Sequence, residues 1–183
     1  LTAIAICYII KKWVGLNKRI EWLLVDICES LIVIASFVLG WLYQLNNKYI
    51  VGLNDVLSDR LKYIAQTMST YNIKLWGQYI EEHGNGGSII AKDNYFFIDN
   101  SFVRCMYEYG AIVFVLVIVL IFMAQKKMLD NEKYIMCLAF FIVTIASFAE
   151  HHLLEIAYNP FIFSVFACMS NNDKVIMEEK RIC

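Results

Sequence analysis

The sequence predicts an all-α membrane protein with four to five transmembrane helices and one long extracytoplasmic loop that contains an amphipathic helix. Three observations predict this class. Hydrophobic residues make up 60% of the 183 residues and charged residues only 18%, a balance outside the range of ordinary soluble domains. Apolar runs of membrane-spanning length alternate with short charged turns. Residues 46–101, by contrast, are too polar to lie in lipid.

Residues 1–45 are predicted to supply two transmembrane helices. The first is truncated, because residues 1–10 are apolar but fewer than the roughly 20 residues that span a bilayer. We therefore expect this sequence to be the C-terminal part of a longer protein. Residues 22–43 supply the second helix at full length.

Residues 46–101 form the predicted extracytoplasmic loop, and residues 102–170 supply three further transmembrane helices. Arg104 and Glu108 are four residues apart in the first of these helices, so they can pair on one helix face. The last helix contains Pro160, the only proline of the chain, and is expected to be short or kinked.

The positions of the basic residues predict the orientation in the membrane. Ten of the sixteen Lys and Arg residues lie in the turn after the first helix, at residues 126–133 and in the tail at residues 171–183. Cytoplasmic segments are rich in such residues, so the C-terminus is predicted to be cytoplasmic. The acids Asp26 and Glu29 then lie near the cytoplasmic end of their helix. We expect them to face the nearby basic residues or a neighbouring helix.

Charge and cysteine usage exclude several functional classes. The net charge of -1 excludes a basic nucleic-acid binder, and the sequence contains no zinc-finger pattern. The six cysteines are scattered singly, without a C-x-x-C pair, and are predicted to be small buried hydrophobic residues. No cofactor is predicted.

The extracytoplasmic loop begins with a predicted amphipathic helix that lies on the membrane surface or against the bundle. Asn54 can cap this helix, with Asp55 and Asp59 near its positive end. Apolar residues at helical spacing form one stripe: Leu57, Leu61, Ile64, Ala65 and Met68. Arg60 lies on the flank of the stripe. There it can clamp a diphosphate through two hydrogen bonds, or simply extend its charge to water.

Two further features of the loop are candidates for chemistry. His83 is a candidate general base, because histidine titrates near neutral pH. The glycines at residues 84–87 are predicted to form a mobile turn, since the lysine and serine of a phosphate-binding loop are missing.

The end of the loop combines polar and aromatic residues. Asp99, Asn100 and Ser101 can cap the following helix or hold sugar hydroxyl groups. Tyr95 belongs to a group of aromatic residues that suits either a membrane-interface belt or a platform for a sugar ring.

Glu150, His151, His152 and Glu155 form a cluster of potential metal ligands near the C-terminal end. His151 and Glu155 are four residues apart, but the pattern is not H-E-x-x-H. Adjacent histidines on a helix point about 100° apart. No metal site is predicted from the sequence.

Five short motifs follow one another in a specific order along the chain. They are L-N-D-V-L-S-D-R-L at residues 53–61, K-L-W-G at 74–77, I-D-N-S-F at 98–102, E-Y-G at 108–110 and H-L-L-E-I-A-Y-N-P-F at 152–161. With this order and spacing the chain resembles the C-terminal half of bacterial polysaccharide polymerases of the Wzy type, in the O-antigen polymerase and ligase superfamily. The resemblance covers about residues 53–166. It departs from the family at Asp59, where the family often has glycine.

The resemblance implies a partial GT-C-like fold and a metal-independent glycosyltransferase. Such an enzyme joins undecaprenyl-diphosphate-linked oligosaccharide repeat units into capsular or exopolysaccharide on the outer face of the bacterial cytoplasmic membrane. The implied partners are the lipid-linked oligosaccharide and the lipid bilayer, with other polysaccharide-assembly proteins as further candidates.

For that chemistry, the catalytic candidates are Arg60, to stabilise the leaving diphosphate, and His83 or Asp99, to accept the proton of the attacking hydroxyl. The candidates for substrate binding are four residues of the loop and its end: Arg60, Tyr95, Asn100 and Arg104.

Three other functions remain as alternatives. An O-antigen-type ligase would transfer finished glycan and shares the same loop motifs. A polytopic transporter or flippase component would show paired charges deep in its spans and inverted repeats, neither of which the sequence contains. A structural subunit of a synthesis complex would tolerate the loss of Arg60.

Overall fold

The computed structural model describes residues 18–83, 95–131 and 133–155. Within these ranges the chain is mainly helical, and the only extended pairing is a single antiparallel bridge between His83 and Phe96. The helices are α1 (Lys18–Gln44), α2 (Lys48–Val56), α3 (Arg60–Thr70), α4 (Ser101–Arg104), α5 (Ala111–Asp130) and α6 (Tyr134–Ala146). A π-helical turn, Cys105–Tyr109, follows α4, and a 3-10 turn, His152–Leu154, follows α6.

Two of the helices in the described ranges are long and apolar enough to cross a membrane. They are Trp22–Gln44 within α1, with 23 residues, and Ala111–Asp130, which is α5, with 20 residues; a span needs about 20. The helix α6 is apolar but has only 13 residues. The truncated first span lies outside the described residues, and so does nearly all of the last one.

The exposed surface of α1 is apolar along most of its length. Leu23, Ile27, Leu31, Ile34, Val38 and Trp41 are each at least 42% exposed. The polar residues Glu29 and Ser36 are instead buried against neighbouring helices. An apolar outer surface around a partly polar interior is typical of helices that face lipid.

A buried polar chain joins α1, α5 and α6. Gln125 on α5 donates a hydrogen bond from Nε2 to Glu29 Oε1 at 2.6 Å, and the thiol of Cys137 on α6 donates to Gln125 Oε1 at 2.8 Å. Glu29 is 1% exposed. Of the partners predicted for Glu29, the structure therefore selects a neighbouring helix.

The polar chain predicts a large effect of replacing Gln125 with leucine. The change removes the Nε2 group that donates to Glu29, so the buried carboxyl group loses this hydrogen bond. We expect a loss of about 1–3 kcal/mol in the free energy of unfolding. Denaturant unfolding of the purified protein in detergent measures this loss. Glu29→Gln is the control, because an amide can still bond to Gln125, and it should cost less. Equal stability of Gln125→Leu and wild type would contradict the importance of this contact.

The helix predicted to start at residue 102 is interrupted: helical structure begins at Ser101 in α4, and the membrane-length helix α5 begins only at Ala111. Gly110 has a φ of 97°, a conformation that only glycine adopts readily, and it separates the π-helical turn from α5. The helix α5 then continues through Lys126 and Lys127 to Asp130. The predicted cytoplasmic turn at residues 126–133 is therefore largely helical.

The amphipathic helix predicted from Asn54 onward is two helices. Asn54 lies inside α2 and is not the residue that precedes α3, although its side chain accepts an amide from the first turn of α3. It connects the two helices instead, because its Nδ2 donates to Asp59 at 2.8 Å and its Oδ1 accepts the Lys62 amide at 3.0 Å. Ser58 and Asp59 have φ values of 53° and 67°, and this left-handed backbone ends the first helix before the second starts.

The apolar stripe of the loop helix packs against the bundle. On α3, Leu61, Ile64 and Ala65 are 0–5% exposed. Gln44, the last residue of α1, donates from Nε2 to the Ala65 carbonyl at 2.8 Å. Of the two predicted positions for this helix, the structure selects the one against the bundle, at the end of α1.

Candidate functional site

Arg60 is the first residue of α3 and meets two carboxylates from distant parts of the chain. Its Nη2 donates to Glu150 Oε1 at 3.1 Å, and its Nε lies 3.6 Å from Asp99 Oδ2. The side chains of Arg60, Asp99 and Glu150 are 31%, 21% and 46% exposed, so a ligand can reach the group from solvent. Two of the three predicted catalytic residues are thus neighbours.

The electrostatic environment of Asp99 is unusual for a surface carboxyl group. Burial raises the pKa of Asp99 above its ordinary value, Arg60 lowers it in part, and Glu150 raises it again. A raised pKa makes the ionised carboxylate a stronger base. Asp99 therefore stays a candidate base, with a basicity that burial increases.

Tyr95 lies beside this group. Its ring centroid is 5.3 Å from that of Tyr63 on α3. Burial raises the pKa of Tyr95, and the nearby charges of Asp99 and Glu82 raise it further. The two tyrosines provide an aromatic surface next to Arg60, which is consistent with the predicted sugar platform.

Arg104 holds several segments together. Its Nη2 lies 2.6 Å from Glu82, its Nη1 lies 3.2 Å from Glu108, and its Nε donates to the Ile98 carbonyl at 3.0 Å. The guanidinium carbon lies 4.8 Å from the centroid of the Phe97 ring. The predicted pairing of Arg104 with Glu108 is confirmed, although the turn between them is π-helical.

These contacts use all three types of nitrogen of Arg104 within the protein, and its side chain is 12% exposed. The arginine fixes the segment that precedes Asp99, because Glu82 also accepts the Ile98 amide at 2.9 Å. A small cavity of about 90 Å³ lies beside it, lined by Ser101, Arg104, Tyr109, His151, Leu154 and Glu155. Substrate binding by Arg104 stays a prediction.

Asn100 caps α4, as predicted. Its Oδ1 accepts the amides of Phe102 and Val103 at 3.0 and 2.9 Å. Its Nδ2 donates to Ser36 Oγ and to the Phe148 carbonyl. The residue is 1% exposed. Its side chain therefore fixes the backbone next to Asp99. It does not reach the surface, and its contact with substrate stays a prediction.

His83 is half-exposed and does not join the group around Arg60 in the described part of the chain. Its Nε2 lies 3.8 Å from Glu81, and its backbone pairs with Phe96. The glycine turn predicted at residues 84–87 lies outside the described residues.

The two histidines near the C-terminal end do not diverge, contrary to the prediction from helical spacing. The helix α6 ends at Ala146, and Ser101 Oγ bonds to the Glu150 carbonyl and accepts the Leu153 amide, which bends the chain around it. The ring centroids of His151 and His152 lie 4.0 Å apart as a result.

Two residues of the site were missed by sequence analysis. Glu150 was considered only as a metal ligand, and it is a partner of Arg60. Glu82 was given no role, and it is the nearest partner of Arg104. No sequence signal points to either contact, because the partners are 90 and 22 residues apart.

Comparison with known protein families, with curated proteins and with solved structures gives no match to this chain. The assignment of a function therefore depends on the motifs of the sequence and on the geometry of the site.

Proposed function

We propose that this chain belongs to a membrane-embedded glycosyltransferase of the Wzy polymerase type. It joins undecaprenyl-diphosphate-linked repeat units into capsular or exopolysaccharide. The observation that supports this most directly is the solvent-accessible pair of Arg60 and Asp99, 3.6 Å apart. One member is a cation for a departing diphosphate, and the other is a carboxylate of raised pKa for an incoming hydroxyl.

The transfer needs one bond to form and one to break. The hydroxyl oxygen of the acceptor sugar attacks the anomeric carbon of the donor, and its proton passes to Asp99. The bond from that carbon to the diphosphate oxygen breaks, and Arg60 stabilises the negative charge that develops on the diphosphate.

Arg60 contacts two carboxylates in the structure, so a diphosphate competes with them for the guanidinium. Glu150 is the more exposed partner, at 46% against 21% for Asp99. We infer that the diphosphate takes the place of Glu150 and that Asp99 stays beside the arginine. A guanidinium can bind a phosphate through two parallel hydrogen bonds, which suits this exchange.

The location of the site supports a lipid-linked substrate. The helix α3 contacts the end of α1, where its membrane-length apolar segment finishes. Trp76 and Tyr79, which follow in the same loop, are 84% and 86% exposed, as expected of aromatic residues at a membrane interface. In our proposal the protein crosses the bacterial cytoplasmic membrane several times, with this site outside and the C-terminus in the cytoplasm.

Two of the motifs that resemble the polymerase family meet at this site. The motif at residues 53–61 supplies Arg60, and the motif at residues 98–102 supplies Asp99. The motifs that end in Gly77 and Gly110 contact each other. The start of the last motif, at residue 152, lies in the bend held by Ser101.

A reconstituted assay tests the proposal directly. The purified full-length protein in nanodiscs, supplied with undecaprenyl-diphosphate-linked repeat units, is expected to produce a ladder of lipid-linked oligomers on a gel. Absence of any product longer than one unit, from protein whose fold is intact, would contradict the proposal. Product only after addition of a separate lipid acceptor would indicate a ligase.

The same assay distinguishes the two candidate bases. Asp99→Asn is expected to lower the rate by about 10²- to 10⁴-fold, whereas His83→Ala should keep most of the activity. The ionised carboxylate is the active form, so wild-type activity should fall as the pH drops through the raised pKa of Asp99, at a higher pH than for an ordinary aspartate. Loss of activity in His83→Ala with Asp99→Asn unaffected would assign the role to the histidine.

A further inference from the structure

The bend after α6 brings together four potential metal ligands. Glu155 Oε1 lies 3.4 Å from His151 Nε2 and 3.1 Å from His152 Nδ1. Glu150 and both histidines each offer a donor atom, and these atoms all lie within 4.8 Å of one another. The group is therefore much more compact than helical spacing predicts.

The distances fit a divalent metal ion. Zinc binds nitrogen at about 2.0–2.1 Å and carboxylate oxygen at about 2.0–2.2 Å, so neighbouring donors of a tetrahedral site are about 3.4 Å apart. The two distances from Glu155 to the histidines lie close to that value. Little movement is needed for the three side chains to share one ion.

The protein alone leaves His151 incompletely bonded. Its Nδ1 is buried, and no hydrogen-bond partner for it exists in the described part of the chain. Nε2, on the other side of the ring, faces Glu155 and is the nitrogen available to an ion.

We propose that Glu150, His151, His152 and Glu155 bind one zinc-like divalent cation. Two nitrogen and two carboxylate ligands suit zinc better than magnesium or calcium, which prefer oxygen alone. The ion is structural, because all four ligands lie within the bend at residues 150–155, which Ser101 joins to α4 through its bonds to the Glu150 carbonyl and the Leu153 amide. The site shares Glu150 with the group around Arg60, but the ion takes no part in the transfer step described above.

Metal content of the purified full-length protein tests the site without an activity assay. After incubation with zinc and removal of free metal, elemental analysis is expected to give about one zinc per protein molecule in wild type. Binding of cobalt at the same site should give the visible absorption of a tetrahedral complex. The double variant His151→Ala with His152→Ala should bind neither the zinc nor the cobalt, so the zinc content and the absorption should both be lost.

Three comparisons make the result decisive. His83→Ala removes the remaining histidine of the sequence shown, which lies near Glu81, and should keep the full zinc content. Glu155→Gln keeps the shape of the side chain and should weaken affinity at least tenfold, which provides a milder variant if the double change prevents folding. Wild type with no more zinc than the double variant, or equal loss in His83→Ala, would overturn the proposal.

Discussion

Arg60→Ala is expected to abolish long polymer while the protein still inserts into the membrane. Arg60 is the cation beside Asp99 and the only residue of the group placed to stabilise a departing diphosphate. Removing one such electrostatic contact typically lowers a catalytic rate by about 10²- to 10³-fold. Polymer length on gels, from cells in which the full-length variant replaces wild type, measures the effect.

Two variants of the same helix are suitable controls. Lys62 is exposed on α3, two residues after Arg60, and Lys62→Ala should leave polymer length unchanged. Arg60→Lys keeps the charge but cannot bind phosphate through two parallel hydrogen bonds, so it should give shorter chains than wild type. Wild-type chain lengths in Arg60→Ala would refute the role and favour a structural subunit.

The alanine change also removes a partner from two carboxylates. Asp99 is only 21% exposed, and without Arg60 it loses the charge that lowers its pKa. We therefore expect a modest loss of stability as well. Protein level in the membrane and the unfolding midpoint must be compared with those of Lys62→Ala, so that a loss of polymer is assigned to chemistry only at equal protein level.

Local sequence patterns predicted several parts of this site correctly. The stripe of α3, with Leu61 and Ile64 buried, follows from helical spacing. The pairing of Arg104 with Glu108 follows from a separation of four residues, and the cap by Asn100 follows from its side-chain chemistry. Each of these features depends on residues that are close in sequence, which is why the sequence was sufficient.

Features that depend on tertiary contact were not predictable in the same way. The pairing of Arg60 with Glu150 joins the start of α3 to the bend after α6, and helix packing alone determines it. The bend depends on Ser101, whose hydroxyl group receives and donates bonds across about fifty residues. A serine at the start of a helix gives no indication of such a partner.

The break between α2 and α3 lies between the features that the sequence predicts and those that it does not. Neither Ser58 nor Asp59 is a typical helix breaker, yet both have a left-handed backbone. The family that the sequence resembles often has glycine at the position of Asp59. That glycine suits the same conformation, so the departure in sequence is compatible with an unchanged backbone.

Gly110→Ala is expected to have the largest effect on folding. Gly110 and Gly77 lie against each other with φ values of 97° and 80°. A Cβ atom on Gly110 would overlap the Gly77 amide nitrogen and would lie 2.5 Å from the Leu75 carbonyl oxygen. These neighbours are backbone atoms, so no side-chain rotation relieves the overlap.

The backbone on both sides of the glycines is also held by hydrogen bonds. The amide of Ala111 donates to the Lys74 carbonyl at 3.0 Å, and the amide of Gln78 donates to the Glu108 carbonyl at 2.9 Å. A methyl group at Gly110 would force these bonds apart or leave the start of α5 strained. Backbone strain and overpacking each cost about 1–3 kcal/mol, so we expect a total loss of about 2–6 kcal/mol.

Gly52→Ala is the matched control, because Gly52 lies inside α2 and a Cβ atom there would meet nothing within 4 Å. This change should be neutral or stabilise by about 0.5–1 kcal/mol, as alanine favours helix more than glycine does. Unfolding midpoints in detergent and protein level in membranes compare the two variants. If Gly110→Ala unfolded at the same midpoint as Gly52→Ala, that result would contradict the close contact between Gly110 and Gly77. If Gly110→Ala reduced the protein level while Arg60→Ala did not, the motif at residues 108–110 would have a structural role and the motif at residues 53–61 a role in the reaction.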